Sequence, residues 1–240
     1  MSEKILPLNA ASIERDDCGY RVVWGKRILR TPSGDVLSLP TAVLANAIRD
    51  EWKRPAELKA AEMPLFVLAC TAFDRVAIAR TEIVKELCEY LHTDLVCYRT
   101  GMPPELAKRQ EIEWGTVTNW ISETYGVEPV LTTSLAAISQ PAPLALKIEQ
   151  CLAAMNVHAL TVLQSMAADI GSVMVALMLV HHELSVDEAV NIRFLEEDHN
   201  ASIGGIDEHG DDPLTTAARN ALRVELTNAM RYLDLATQAE

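Results

Sequence analysis

Tyr20-Arg21-Val22-Val23-Trp24-Gly25-Lys26-Arg27-Ile28-Leu29-Arg30-Thr31-Pro32-Ser33-Gly34-Asp35-Val36-Leu37-Ser38-Leu39-Pro40-Thr41 is the stretch in which the chain changes its pattern. Tyr20–Trp24 and Ile28–Arg30 flank Gly25-Lys26, which reads as a β-hairpin. Thr31-Pro32-Ser33-Gly34-Asp35 is a second turn signal, and Val36–Leu39 a short strand after it. Pro40-Thr41 then opens a helix, with Thr41 as candidate N-cap and Ala42, Ala45, Ile48 and Trp52 at helical spacing. Strands therefore come first and helices follow.

Downstream, Pro64 stands at a helix start. Leu65, Leu68, Ala72, Val76, Ala79, Ile83 and Leu87 keep one apolar face to about Tyr90. Asp94–Arg99 reads as strand or extended loop, and Pro103-Pro104 begins a helix that Gly126 ends. Val127–Ser139 predicts one or two short strands. From Pro141 onward the pattern is helical, with helices near 142–154, 157–182, 186–202 and 214–238. Gly171-Ser172 inside the second of these costs about 1 kcal/mol in propensity and reads as a close helix–helix approach. The expected class is α+β: a small N-terminal α/β domain with β-hairpins (1–100), then a C-terminal α-helical bundle domain (101–240).

Composition narrows the function. The 240 residues are 49% hydrophobic and 5% aromatic, enough to bury a core without metals or disulfides. Cys18, Cys70, Cys88, Cys97 and Cys151 form no C-x-x-C pair, and they predict free thiols in a reducing compartment. The first residues carry no secretory or organelle address. The longest apolar run, Ile170–Val180, is short of the roughly 20 residues that cross a bilayer. Residues 1–100 are charge-balanced, so residues 101–240 carry the whole net charge of −13. That acidity disfavours nucleic acid and anionic membrane, and favours a basic protein surface.

Signatures of catalysis are missing: no G-x-x-x-x-G-K-[ST], G-x-G-x-x-G after a strand, G-x-S-x-G or H-E-x-x-H. Glu89–His92 and Glu196–His199 are E-x-x-H motifs of the kind found in di-metal helical bundles, with Glu62 and Glu149 as further ligand candidates. A di-metal carboxylate enzyme is thus one alternative, and an adaptor in another complex a second. His181-His182 reads as a helix C-terminus favoured by the macrodipole. Cys97 beside Arg99 reads as a structural thiol in preference to an activated one. The most distinctive stretch lies between Arg193 and Arg219. It has no Lys or Arg but carries Glu196, Glu197, Asp198, Asp207, Glu208, Asp211 and Asp212. Without local counter-ions these make either a solvated acidic loop or a docking surface for a basic patch.

Taken in order, several segments resemble the assembly-chaperone family that protects the alpha subunit of the catalytic sector of ATP synthase. They are Trp24–Gly34, Leu39–Thr41 with Glu51-Trp52, Met63–Leu65 with Thr71–Val76, Asp94–Arg99, then Pro104, Leu106, Gln110 and Trp114. Gly171-Ser172, Asp187–Ala189 and Leu195–Asp198 extend the resemblance to about residue 208. It implies a chaperone that binds the free alpha subunit, with no cofactor and no catalysis, in a bacterial cytoplasm or a mitochondrial matrix. Such a protein is expected to be a monomer when free. The family's functional glutamate falls at Glu197, with Glu196 and Asp207 supporting it at a partner-binding site. The sequence departs from the family at Gly115, His199-Asn200 and Gly204-Gly205, where the family has Asp, an aromatic residue followed by Gln, and Trp-Gly.

Overall fold

Gly25 takes a left-handed φ of +63°, and that conformation lets the chain reverse in two residues. In the computed structural model, which describes residues 11–52, 62–203 and 213–238, this turn joins β2 (Gly19–Trp24) to β3 (Arg27–Ile28). The pairing is antiparallel, with Trp24 opposite Arg27 and Val23 opposite Ile28. A further strand, β1 (Ala11–Asp16), pairs antiparallel with β2 and makes the sheet three-stranded, in the order β1-β2-β3. Asp16 Oδ1 accepts hydrogen bonds from Cys18 N (2.8 Å) and Gly19 N (3.1 Å), which shapes the β1–β2 turn. Gly19 is required there, because a Cβ would lie 2.5 Å from Leu39 O. The strand expected over Val36–Leu39 is reduced to two bridges, Arg30 with Val36 and Tyr20 with Leu39.

Thr41 caps α1 (Ala42–Trp52) as expected, accepting from Leu44 N at 3.1 Å while its hydroxyl donates to Leu235 O at 2.5 Å. The buried Glu51 carboxylate accepts from Leu65 N and Phe66 N, each at 3.0 Å, at the start of α2 (Pro64–Thr71). A negative group at a helix N-terminus satisfies orphan donors and opposes the dipole. The single helix expected to run to Tyr90 is divided. A π-helical turn over Ala72–Val76 separates α2 from α3 (Arg80–Tyr90).

The remaining elements are helical. α4 (Pro104–Tyr125) buries Leu106, Gln110, Trp114, Val117, Ile121 and Tyr125 along one side and ends at Gly126, φ +64°. α5 (Ala142–Ala154) buries Leu144, Ile148 and Leu152 at intervals of four. Two expected helices are each split. The first breaks at Gly171 (φ +82°) into α6 (Val157–Ile170) and α7 (Val173–Val180). Nothing lies within 4 Å of a Cβ built on Gly171, so the Gly171-Ser172 pair is a chain break and not a close helix contact. The second breaks at Phe194 into α8 (Val186–Arg193) and α9 (Leu195–Ile203). α10 (Pro213–Thr237) completes the set.

His182 occupies the left-handed position after α7 (φ +57°), with Glu183 N bonded to Met178 O and His182 N to Leu179 O, both at 2.9 Å. These backbone bonds close the helix. Asp94–Arg99, expected as strand or extended loop, and Val127–Ser139, expected as one or two short strands, form a 3-10 turn at Leu95–Cys97 and one parallel bridge, Tyr98 with Thr132. The chain forms two compact units. One holds the described residues up to Arg80, with Val157–Val162 and those from Asn228 on; the other holds Thr81–Asn156 and Leu163–Thr227. The first contains the sheet, α1 and α2. The second contains α4, α5, α7, α8 and α9. Among the described residues, no helix is long and apolar enough to cross a membrane.

Candidate partner-binding surface

The acidic motif Glu196-Glu197-Asp198 forms the first turn of α9, where carboxylates face the positive end of the helix dipole. Its base is fixed from α4. Trp114, 1% exposed, donates its indole N–H to Ile192 O at 3.0 Å and holds the end of α8. Gln110, fully buried, accepts from Thr100 N at 2.7 Å and donates to Glu196 Oε1 at 2.6 Å. Glu196 is thereby oriented by a neutral amide while remaining exposed.

The two arginines that bound the basic-free stretch fold back onto it. Arg193 Nη1 lies 3.1 Å from Glu197 Oε1, one helical turn away. Arg219 Nη2 pairs with Asp198 Oδ1, and its Nη1 reaches Asn191 Oδ1 at 3.3 Å. Both guanidinium groups also stand over the buried Phe194 ring, at 5.1 and 4.9 Å from its centroid. Arg223 Nε adds a 2.7 Å pair with Asp187 Oδ1. The expected absence of local counter-ions is therefore wrong for Glu197 and Asp198. Sequence separation hid Arg219 in the next helix. Arg193 sits at i, i+4 to Glu197 and could have been found by that spacing.

Half-exposed pairs of this kind contribute little stability. They present an ordered surface of alternating charge instead. Glu197 uses one carboxylate oxygen on Arg193, and its side chain stays 39% exposed. A depression of about 340 Å³ lies beside it, lined by Glu197, Asp198, Asn200, Thr215, Thr216 and Arg219. Asp207 and the glycines at 204, 205 and 210 lie outside the described residues, as do Glu208, Asp211 and Asp212.

The Cys97 and Cys70 thiols are buried structural parts. Burial pushes the Cys97 thiol well above its usual range, with Asp94 adding to the shift, and Gln140 Nε2 lies 3.4 Å from its sulfur. The Cys70 thiol is pushed up to about 12, mainly by burial. His92 Nδ1 accepts from Gln140 N at 3.0 Å, and the buried His199 has no partner for Nε2 among the described residues. No three His, Cys, Asp or Glu side chains among the described residues form a group that could hold a metal ion.

Comparison with solved structures gives the class. The chain superposes on the crystal structure of Atp12 from Paracoccus denitrificans with a TM-score of 0.85 at 25% identity, covering 95% of this chain and 96% of that one. An aspartate-to-lysine variant of that protein gives 0.86, also at 25% identity, with 95% of each chain covered. A protein of Agrobacterium tumefaciens gives 0.82 at 27% identity, over 95% of this chain and 84% of that one. The fold is that of an Atp12-type chaperone. The sequence pattern of the ATP12 chaperone protein family matches residues 8–122 of the chain.

Proposed function

We propose that this chain is a chaperone of ATP synthase assembly that binds the unassembled alpha subunit of the catalytic sector. It would shield the alpha-subunit surface that later meets beta subunits. The observation that carries the reading is the likeness to Atp12 over 95% of the chain. The physical need is clear. An unassembled subunit exposes an apolar interface that aggregates, and its keeper must cover it without holding it irreversibly.

On this reading Glu197 is a polar contact to the partner, with Glu196 and Asp207 in support. A carboxylate that already shares one oxygen with Arg193 is oriented before binding, which lowers the entropic cost of using the other. Charged groups at the edge of a contact speed encounter and reject wrong partners more than they tighten the grip. The protein works without catalysis or cofactor, in a bacterial cytoplasm or a mitochondrial matrix. Purification of the tagged chain from its own cells, followed by mass spectrometry, tests the partner. The alpha subunit is expected as the main co-purifying protein, and its absence in the presence of another stoichiometric partner would replace this reading with an adaptor role.

A further inference from the structure

The connection between α4 and α5 differs in composition from the rest of the chain. From Pro129 to Leu146 it holds no Asp, Glu, Lys, Arg or His, in a protein that is 23% charged with a net charge of −13. α4 ends at Tyr125 and α5 begins at Ala142. The loop between them is longer than the about 12 residues beyond which an ordered loop without helix or strand usually serves a function. Apolar side chains are normally drawn inward. In the middle of this loop the reverse holds: Leu135 is 101% exposed, and Thr133, Ser134, Ala136 and Ala137 around it are exposed too.

The loop is tied on both sides of that leucine. Before it, Thr132 N donates to Cys97 O at 2.9 Å and Thr132 O accepts from Arg99 N at 2.7 Å. After it, Ile138 N donates to Tyr98 Oη at 3.2 Å, and that hydroxyl donates to His92 O at 2.8 Å. The buried Gln140 joins the two sides, accepting from Val130 N at 2.8 Å and donating to Val130 O at 3.0 Å. Within the loop, Ser134 N donates to Thr132 Oγ1 at 3.0 Å and Ala136 N to Ser134 Oγ at 3.1 Å. A single exposed leucine is ordinary on any surface. One flanked by small uncharged residues on a backbone tied in this way is a preformed apolar contact, because little ordering entropy remains to be lost when it is covered.

We propose that Leu135, with Ala136 and Ala137 beside it, docks in an uncharged apolar cleft of the unassembled alpha subunit. The lack of charge selects this occupant. Interface centres are depleted of charged residues, while their rims keep them. A basic client segment is drawn to the carboxylates elsewhere on the chain, and against this loop its charge would lose water with no counter-charge to replace it. An anionic membrane is repelled by the net charge of −13. An apolar protein surface is the occupant that remains, and a bare subunit interface supplies one. The assignment rests on the chaperone reading. It adds an apolar contact, which the carboxylate of Glu197 does not provide.

The test uses the full chain and isolated ATP synthase alpha subunit, with binding followed by titration calorimetry at several temperatures. Leu135→Ser removes the apolar side chain at a fully exposed position, so its melting temperature should match wild type. It is expected to bind about tenfold more weakly, with a smaller negative heat-capacity change. Leu135→Met is expected to bind as wild type does. A photo-crosslinker in place of Ala136 is expected to capture an alpha-subunit segment of apolar, uncharged residues. Unchanged affinity in Leu135→Ser overturns the site and leaves the chaperone reading standing. Capture of a charged alpha-subunit segment, or of a second copy of this chain, does the same. Failure of wild type to bind the alpha subunit overturns the reading, and the site with it.

Discussion

The Ser172 hydroxyl donates to Asp94 Oδ1 at 2.6 Å while accepting from Val175 N at 3.0 Å, so one residue both caps α7 and ties it to the turn that begins at Asp94. Asp94 Oδ2 accepts from Met174 N at 3.0 Å, and Oδ1 also takes Val96 N at 3.3 Å. This carboxylate is fully buried, with no paired cation among the described residues. Desolvation outweighs the donors gathered around it and raises its pKa from 3.8 to about 6. Ser172→Ala removes a cap and a donor together, and should cost about 2 kcal/mol at pH 7.5 by chemical denaturation.

The same shift gives a sign for pH dependence. A folded-state pKa above the unfolded one means that the folded protein holds more protons between pH 3.8 and about 6. The contribution of Asp94 is then full below that window and is lost as pH rises through 6. The stability of wild type minus that of Asp94→Asn should fall by about 2–3 kcal/mol between pH 4 and pH 7.5. A difference that grows over that range would contradict the assignment.

His158 should act in the opposite direction. It is buried, its Nδ1 lies 2.7 Å from Tyr232 Oη, and desolvation lowers its pKa from 6.5 to about 4. Between those values the unfolded chain binds the proton more readily, so stability is full above pH 6.5 and is lost as pH falls toward 4. Replacing His158 by Gln should remove that acid-side loss, on the order of 3 kcal/mol. Melting curves from pH 4 to pH 7.5 measure it.

Trp114→Phe keeps most of the buried ring volume but strips Ile192 O of its indole donor. A buried carbonyl left unpaired costs about 1–3 kcal/mol. Glu51→Gln should cost a similar amount, because a neutral amide opposes the α2 dipole less well and offers one acceptor where two N–H groups wait. Both changes are read by denaturant midpoint, and neither should alter far-UV ellipticity in the native state.

Helix starts were legible wherever a single residue type does the work. Thr41 and Ser185 cap through their own side chains, and proline precedes or opens α2, α4 and α5. Helix breaks were not. Gly171 lies in an unbroken apolar run, and periodicity cannot see that its left-handed φ frees Ser172 to reach Asp94. The extended segments near Asp94 and Thr132 were misread because their pairing is one long-range bridge without local signal. At the candidate surface the acidic motif was visible as composition, and Glu197 through resemblance. The partners Arg219 and Gln110 were invisible, since each comes from another helix far away in sequence.

The central claim is that this chain keeps a client subunit from aggregating, with Glu197 as a contact. Light scattering during refolding of the isolated alpha subunit measures this directly, with wild type or Glu197→Gln added in equimolar amount. Glu197 spends only a half-exposed i, i+4 pair on its own fold, so the substitution should shift stability by less than about 0.5 kcal/mol. The account predicts that wild type suppresses scattering and that Glu197→Gln suppresses it clearly less at an unchanged melting temperature. Scattering as high with wild type as without it would contradict the chaperone claim, and equal suppression by both proteins would contradict the role of Glu197.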